Sequence, residues 1–269
     1  MGMETPELNL DQKGEMVQGI FSKIARKYDT FNALSSMGIY KAWLKRVALT
    51  AACTPQERVL DVAGGTGDVS FELCRRCPPA SVEVSDFTPE MLEVARSRAE
   101  AGASCGVPCA FKVADAMNLP YDDESFDVLT MAYGLRNFSD RKRAMREAAR
   151  VLKPGGRAVI LEFGTPPNAV WRAIYHVYLM HVVPAVGGAV CGDSSGFKYL
   201  ASSIREFPPQ DIVVRELLES GFERADYHDC TGGIAAVYEA HKASRATTPA
   251  EKRGKTTGGP VLCCSHPAM

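Results

Sequence analysis

Apolar residues change their period near residue 58, and that change divides the chain. Before it they recur at helical spacing. Val17, Ile20, Phe21, Ile24 and Tyr28 fall on one face, and Phe31, Leu34, Ile39, Trp43, Leu44 and Val47 follow. Residues 1–50 therefore read as a helical cap. From Arg58 onward, short β-prone runs alternate with helical patterns. Strands are expected at 58–63, 82–86, 110–114, 126–131, 157–163, 222–228 and 234–241. Helices are expected at 68–76, from Thr88, at 139–152 and at 211–220. Thr88 can cap its helix and Pro89 suits the first turn, while Ser139 is a candidate cap for the next helix. Lys153-Pro154-Gly155-Gly156 stops that helix and turns the chain, and Gly221 ends the last. Repeated βα units imply an α/β fold, a parallel sheet with helices on both faces. No internal repeat interrupts the pattern.

Two segments depart from the alternation. Ala173–Gly192 contains no charged residue, and its length approaches that of a membrane span. His176, His181, Pro184 and the Gly187-Gly188 pair weigh against a bilayer. A span here would also tear the last two strands from their sheet. The segment is expected either to pack in the core or to wall a site for a greasy substrate or a membrane surface. The second segment, residues 243–269, is rich in Ser, Thr, Pro, Gly and Lys and reads as a disordered tail with Cys263-Cys264 exposed. The expected organisation is a cap (1–50), an α/β domain (51–242) with a helical insertion (165–208), and the tail.

Composition narrows the function classes. The chain has 269 residues, is 46% apolar and carries a net charge of −1, so it can bury a sizeable core and presents no global field for nucleic acid. Its start is neither a secretory signal nor an Arg-rich transit helix, and Pro6 breaks the myristoylation pattern. Nine cysteines in that context suggest reduced thiols. Cys74/Cys77 and Cys105/Cys109 have a spacing that a zinc clip could use at the non-catalytic end of the sheet. The alternative, ordinary small residues and no metal, is the reading adopted.

The chemistry concentrates in Val59-Leu60-Asp61-Val62-Ala63-Gly64-Gly65-Thr66-Gly67-Asp68, a strand ending in an acid, then glycines, then a helix. Such a turn brings backbone N–H groups close to a nucleotide-like ligand. Asp86, about twenty residues on, is placed to accept hydrogen bonds from a ribose diol. A dinucleotide fits less well: the third glycine place of G-x-G-x-x-G falls on Ser70, and Asp68 puts negative charge where a pyrophosphate would sit. S-adenosylmethionine, with a ribose, no phosphate and a positive sulfonium, suits the loop better than NAD or FAD. At the carboxyl ends of later strands lie Ala114-Asp115-Ala116 and Tyr133-Gly134-Leu135-Arg136-Asn137-Phe138. The Arg and Asn of the second loop can orient an anionic or hydroxylated acceptor, or else form a surface ion pair and a helix cap.

The order VLDVAGGTGD, DFTPEML, ADAMNLPYDDESFD, GLRNFSD and RVLKPGG resembles a class I S-adenosylmethionine-dependent methyltransferase. FSKIARKYDTFNALSSMGIYKAW (21–43), GLRNFSD (134–140), YLASSIREFPPQD (199–211) and TGGIAAVYEAHK (231–242) narrow this. Together they resemble the ubiquinone/menaquinone biosynthesis C-methyltransferase family over about residues 13–242. The resemblance implies a Rossmann-like fold, a seven-stranded, mainly parallel sheet with an antiparallel last strand. It implies S-adenosylmethionine as cofactor and C-methylation of a polyprenylated quinol. The wording of the glycine loop leans toward a methoxy-benzoquinol of ubiquinone synthesis rather than a naphthoquinol. A methyltransferase of another small phenol, and a cofactor-binding scaffold of a quinone-synthesis complex, are the rival readings.

Carried over residue by residue, Asp61, Gly65, Thr66 and Gly67 belong to the cofactor loop and Asp86 matches the ribose acid. Asp115 and Ala116 match the adenine side, Tyr28 with Asp29 lies over the cofactor, and Arg136 and Asn137 face the acceptor. Ala132 stands where relatives often have Ser, and Asp193–Lys198 lacks a tyrosine common before Tyr199. Tyr133, Tyr199 and His181 are candidate substrate contacts, and Glu162 a lesser one. Arg136 stays protonated, so it is a poor base and a candidate stabiliser of a phenolate, with Asn137 holding a quinol oxygen. The implied partners are a polyprenyl benzoquinol, a membrane surface, other quinone-synthesis proteins and a second copy of the chain. The implied location is peripheral: the matrix face of the mitochondrial inner membrane in a eukaryote, or the cytoplasmic membrane face in a bacterium.

Overall fold

A computed structural model of the chain describes residues 18, 19, 22, 25–192 and 195–245. The helical face at Val17–Ile24, the side chains of Tyr28 and Asp29, and the tail beyond 245 with Cys263-Cys264 lie outside the described residues.

The elements follow one another as α1 (Tyr28–Ser35), α2 (Tyr40–Ala51), β1 (Arg58–Val62), α3 (Asp68–Arg76), β2 (Ser81–Asp86), α4 (Pro89–Arg98), β3 (Cys109–Val113), β4 (Phe126–Ala132), α5 (Arg141–Val151) and β5 (Leu152–Phe163). The insertion supplies α6 (Ala169–Val177), α7 (Val183–Cys191) and α8 (Ser195–Glu206). The chain closes with α9 (Gln210–Glu219), β6 (Arg224–Cys230) and β7 (Ala235–His241). The seven strands form one sheet in the order β3-β2-β1-β4-β5-β7-β6. β1 to β5 run parallel, and β7 is antiparallel to both β5 and β6.

Both faces of the sheet are covered, which is why the strands read as near-continuous apolar runs. Alternate residues serve opposite layers. Leu60, Leu129, Met131, Ala158 and Ile160 pack with Ala144, Met145 and Ala148 of α5 and Val213 and Leu217 of α9. Val59, Val128, Val159 and Leu161 pack with Trp43, Leu44 and Val47 of α2 and Val69 and Leu73 of α3. Helix α2 is therefore part of the second layer.

Local expectations were corrected at several points. The cap of α5 is Asp140, whose carboxylate accepts from Arg143 N at 2.8 Å, whereas Ser139 Oγ contacts Met117 Sδ. Thr88 makes no side-chain cap to α4, although Pro89 does open that helix. β5 begins at Leu152, pairing with Phe126 before the Lys153–Gly156 turn and resuming at Arg157 opposite Val128.

The insertion forms a third cluster above the carboxyl ends of the strands. Ala169–Cys191 is one continuous 23-residue helix with a π-helical turn at Tyr178–Val182. By length and composition it could cross a membrane. Its inner face, Tyr175, Leu179 and Val183, packs with Phe31 of α1 and Phe197, Ala201 and Ile204 of α8. Gly187 continues that face. A Cβ added there would collide with the Phe197 ring, which itself packs at a tilt against Phe31 with centroids 4.2 Å apart. Gly187 thus permits close packing of α7 on α8. Gly187→Ala is expected to cost about 1–3 kcal/mol through overpacking. Thermal unfolding followed by circular dichroism measures this, and an unchanged midpoint would show that Phe197 moves aside freely.

Candidate functional site

The strand order reverses between β1 and β4, and ligands of open α/β sheets gather outside the carboxyl ends at such a point. A cavity of about 410 Å³ lies there. Asp61, Gly65, Thr66, Asp86, Asp115, Ala116, Tyr133 and Asn137 all line it. Gly67 contributes differently: it sits at φ 85° and a Cβ there would lie 2.5 Å from the Phe71 ring, so it shapes the loop from behind. Gly64, absent from the sequence-derived site, is equally constrained, since its Cβ would meet Val84 Cγ1 at 2.6 Å.

The glycine loop is held by carboxylates. Asp61 is fully buried and accepts from Ser70 Oγ at 2.5 Å and Thr130 Oγ1 at 2.8 Å, joining β1, α3 and β4. Asp86 accepts from Gly65 N at 2.9 Å and Thr88 N at 2.8 Å, and burial pushes its carboxyl above the ordinary range. Met117 N donates to Asp115 Oδ1 at 2.8 Å. Arg98 pairs with Asp68 at 2.9 Å and donates to the Thr66 carbonyl at 2.9 Å. Asp68 is therefore offset, and its charge does not by itself repel a pyrophosphate. Ser70 carries that argument, because its buried hydroxyl is committed to Asp61 where a dinucleotide loop needs glycine.

The residues fit S-adenosylmethionine. A Cβ added at Gly65 would meet nothing within 4 Å, so loop backbone faces open space. The volume lies within the range of small-ligand cavities. Asp86 lines the same space, a carboxylate where a ribose hydroxyl would donate.

A second cavity of about 260 Å³ adjoins the first, and Asn32, Tyr40, Tyr133 and Asn137 line both. Its walls are mainly apolar and aromatic, with Trp43, Phe163, Trp171, Tyr175, Leu179 and Phe197 among them. Trp43 Nε1 donates to Thr231 Oγ1 at 2.9 Å and Trp171 Nε1 to the Thr231 carbonyl at 3.2 Å. A Cβ at Gly232 would lie 2.9 Å from Trp171 Nε1, which explains the glycine after Thr231.

The Tyr133–Phe138 loop is the shared wall. Arg136 and Glu162 form an ion pair at 2.8 Å with side chains 2% and 0% exposed. Arg136 Nη1 also donates to the Tyr133 carbonyl, and Arg136 N donates to Glu162 Oε2 at 3.1 Å. The guanidinium is thus no isolated cation, and Glu162, a lesser candidate in the sequence, is its partner. Asn137 Nδ2 donates to the Tyr133 carbonyl at 3.1 Å, and Tyr199 Oη lies 3.5 Å from Asn137 Oδ1. Tyr133 itself stands at φ 58°, a strained conformation for an aromatic residue.

One expectation fails here. His181 is exposed and lines neither cavity, because Leu179 and Val183 take the inward positions around it. The cysteines of the zinc alternative are free thiols, Cys74 hydrogen-bonded with Cys109 and Cys77 with Cys53. Among the described residues no group of three or more His, Cys, Asp or Glu could hold a metal ion. Asn32 and Tyr40 were missed as site residues. The signal for them was the YDTFNALSSMGIY segment, whose helical period alone reads as cap packing.

A family model described as the ubiE/COQ5 methyltransferase family matches residues 9–242. The chain is 40% identical over 242 residues to the ubiquinone/menaquinone biosynthesis C-methyltransferase UbiE of Roseobacter denitrificans, covering 90% of this chain and 95% of that one. It is 40% identical over 230 residues to the demethylmenaquinone methyltransferase of Deinococcus radiodurans, covering 86% and 94%. A solved S-adenosylmethionine-dependent methyltransferase of Thermotoga maritima superposes with a TM-score of 0.58 at 21% identity, covering 84% and 99%, a likeness of fold.

Burial pushes the Asp61 carboxyl from 3.8 up to about 6, against the Ser70 and Thr130 hydrogen bonds. The folded protein then holds this proton more tightly than the unfolded chain. The group's contribution to stability is greatest below about pH 4 and falls by about 3 kcal/mol as pH rises to about 6. Urea unfolding of the natural protein and Asp61→Asn at several pH values measures this. The variant is expected to lack that decline, and equal pH slopes would refute the burial argument.

Proposed function

The chain belongs to the ubiE/COQ5 methyltransferase family and is an S-adenosylmethionine-dependent C-methyltransferase of quinone biosynthesis, and from that premise we propose a polyprenylated methoxy-benzoquinol as its acceptor. The observation that supports this reading is the pair of adjoining cavities, one carrying the glycine loop and Asp86, the other apolar and aromatic, with Tyr133 and Asn137 between them. A hydroxylated ring with a greasy tail matches the second in chemistry. A naphthoquinol is the alternative acceptor, which the name of the Deinococcus relative favours.

Bound S-adenosylmethionine supplies an electrophilic methyl on a sulfonium. The chain's task is to align a ring carbon with that methyl and to make the carbon nucleophilic, which follows once an adjacent phenol loses its proton. We assign Gly65, Thr66, Asp86, Asp115 and Ala116 to holding the cofactor. The apolar walls exclude water, and Asn137 orients a ring oxygen at the junction. Arg136 acts with Glu162: the pair fixes the junction loop and orients its dipole toward the ring. Tyr133 and Tyr199 flank the same space.

The acceptor's tail requires a route from a bilayer, and the surface offers one. Leu34, Met37 and Ile39 beside α2, and Val170, Ile174 and Val177 on α6, are exposed. Met37, Ile39 and Ile174 also line the second cavity, so its mouth opens within this apolar rim. We propose that the rim docks on a membrane surface, where other quinone-synthesis proteins or a second copy of the chain would meet it. The relatives are bacterial, so they favour the cytoplasmic membrane face over a mitochondrial one.

Full-length protein with labelled S-adenosylmethionine and short-chain demethyl benzoquinol or naphthoquinol tests the acceptor. Ring C-methylation, faster with the benzoquinol, is expected, and preference for the naphthoquinol would reverse the assignment. Arg136→Lys, which cannot reproduce the fork toward Glu162 and the Tyr133 carbonyl, is expected to lower turnover more than about 10-fold with cofactor affinity little changed. For membrane docking, Val170→Asp with Val177→Asp should reduce co-sedimentation with anionic phospholipid vesicles while sparing turnover of the short-chain acceptor. Undiminished vesicle binding would exclude this face.

A further inference from the structure

Cys74-Arg75-Arg76-Cys77 closes α3, and the fold gives its two cysteines different partners. Cys74 is buried beside Cys109, the first residue of β3. Cys77 is half-buried and meets Cys53, a buried residue in the turn between α2 and β1. All four are free thiols. Cys53 and Cys77 line neither cavity, so methyl transfer leaves them unused. They lie at the amino ends of β1 and β2, roughly 14 Å behind the glycine loop, the length of α3.

The surroundings of this second pair favour a thiolate on one side only. As a thiol, Cys77 Sγ donates to the Ala48 carbonyl of α2 at 3.5 Å. As a thiolate it accepts from both the side chain and the backbone N–H of Cys53. Arg157 fixes the backbone just before Cys53. Its Nε donates to the Ala51 carbonyl at 2.7 Å and its Nη2 to the Ala52 carbonyl at 3.3 Å, while Nη1 pairs with Glu57 at 2.8 Å. The Cys53 hydrogen bond, helped by the Arg157 cation, draws the Cys77 thiol from 9.0 down to about 6, against burial and the Glu57 charge. Cys53, the donor, is pushed up and keeps its proton. Cys109 is lowered by Cys74 with no cation beside it. A partly exposed thiolate next to a cation and a second thiol is the setting of reactive cysteines.

We propose that Cys53 and Cys77 form a redox-active dithiol, a modification site whose oxidant is hydrogen peroxide and whose product is an intramolecular disulfide. The Cys77 thiolate attacks one peroxide oxygen and the O–O bond breaks. The other oxygen leaves with the electron pair and takes a solvent proton to become water, and Cys77 is left as a sulfenic acid. The Cys53 sulfur then attacks the Cys77 sulfur and the S–O bond breaks. Hydroxide departs with the Cys53 proton as a second water. Each sulfur loses one electron, and one peroxide is reduced to two waters. The new bond brackets β1, the glycine loop and α3, so it closes the segment that carries the cofactor loop. It constrains the unfolded chain and enters neither cavity, which makes it a staple on the cofactor half of the sheet.

Full-length protein is reduced, exposed to hydrogen peroxide near neutral pH, alkylated and digested without reductant, and its peptides are identified by mass spectrometry. A Cys53–Cys77 cross-link is expected, forming before any Cys74–Cys109 cross-link. The thermal midpoint should rise by about 5–10 °C and return when dithiothreitol is added. Cys53→Ser keeps a hydroxyl donor toward Cys77 and removes the resolving sulfur. Its Cys77 should be trapped as a sulfenic acid that dimedone labels, with no rise in midpoint. A Cys74–Cys77 cross-link in its place, or Cys53 and Cys77 both still open to alkylation after peroxide, would overturn the assignment. Peptide mapping of the natural protein decides this even where the variant does not fold.

Discussion

A buried ion pair between the end of a strand and the loop after its neighbour sets the geometry of the site. Glu162 ends β5 and Arg136 follows β4, and both side chains are removed from water. Desolvating such groups costs several kcal/mol apiece, so the arrangement persists only with good geometry and further hydrogen bonds. Those bonds are present: the Arg136 and Phe163 amides donate to the Glu162 carboxylate, and the guanidinium also reaches the Tyr133 carbonyl. The Tyr133–Phe138 loop is thereby fastened over the sheet's carboxyl edge, and the wall between the two cavities with it. Removing either partner would leave a buried group unpaired and free that wall, so the pair matters for position as much as for charge.

Strain is stored in the same place. Tyr133 and Ala63 both have positive φ without being glycine. A Cβ at Gly134 would lie 2.7 Å from the Ala63 Cβ, so the loops after β1 and β4 touch. Such conformations survive where the surroundings over-determine them. Here the sheet anchors both loops from below: Tyr133 N donates to the Leu161 carbonyl and Gly64 N to the Ser85 carbonyl. The loops after β1 and β4 are thus held as one unit, which suits a methyl transfer whose rate depends on alignment.

Most of the fold was legible in the sequence because its signals are local. Strands buried on both faces announce themselves as apolar runs, and glycines and prolines punctuate them. The α3 span was read to the residue, and the glycine loop and Asp86 were visible from spacing alone. What escaped was set by contacts distant in the chain. Ser139 and Asp140 are both good caps, and Met117 decided between them. His181 lay in an apolar stretch, but the π-helical turn and the packing of Leu179 and Val183 put it outside. Glu162 as the partner of Arg136, 26 residues away, had no sequence signature. Nor did the pairing of Cys77 with Cys53, which no spacing rule brings together.

The insertion resolves an apparent contradiction in the sequence, a helix apolar enough to cross a membrane inside an α/β domain. Only 22% of its most apolar window is buried, too little for a core helix. Topology forbids a span, because β6 and β7 must return to pair beside β5. The helix is apolar on both sides for different reasons. Its inner residues wall the second cavity, Val170 and Val177 face outward, and the exposed Ile174 stands at the cavity's edge. A water-filled gap between surface and cavity would force a greasy tail through solvent at about 0.8 kcal/mol for each CH₂ exposed. A wall apolar on both sides removes that gap. The same helix carries Tyr175 inward, where its ring joins that wall.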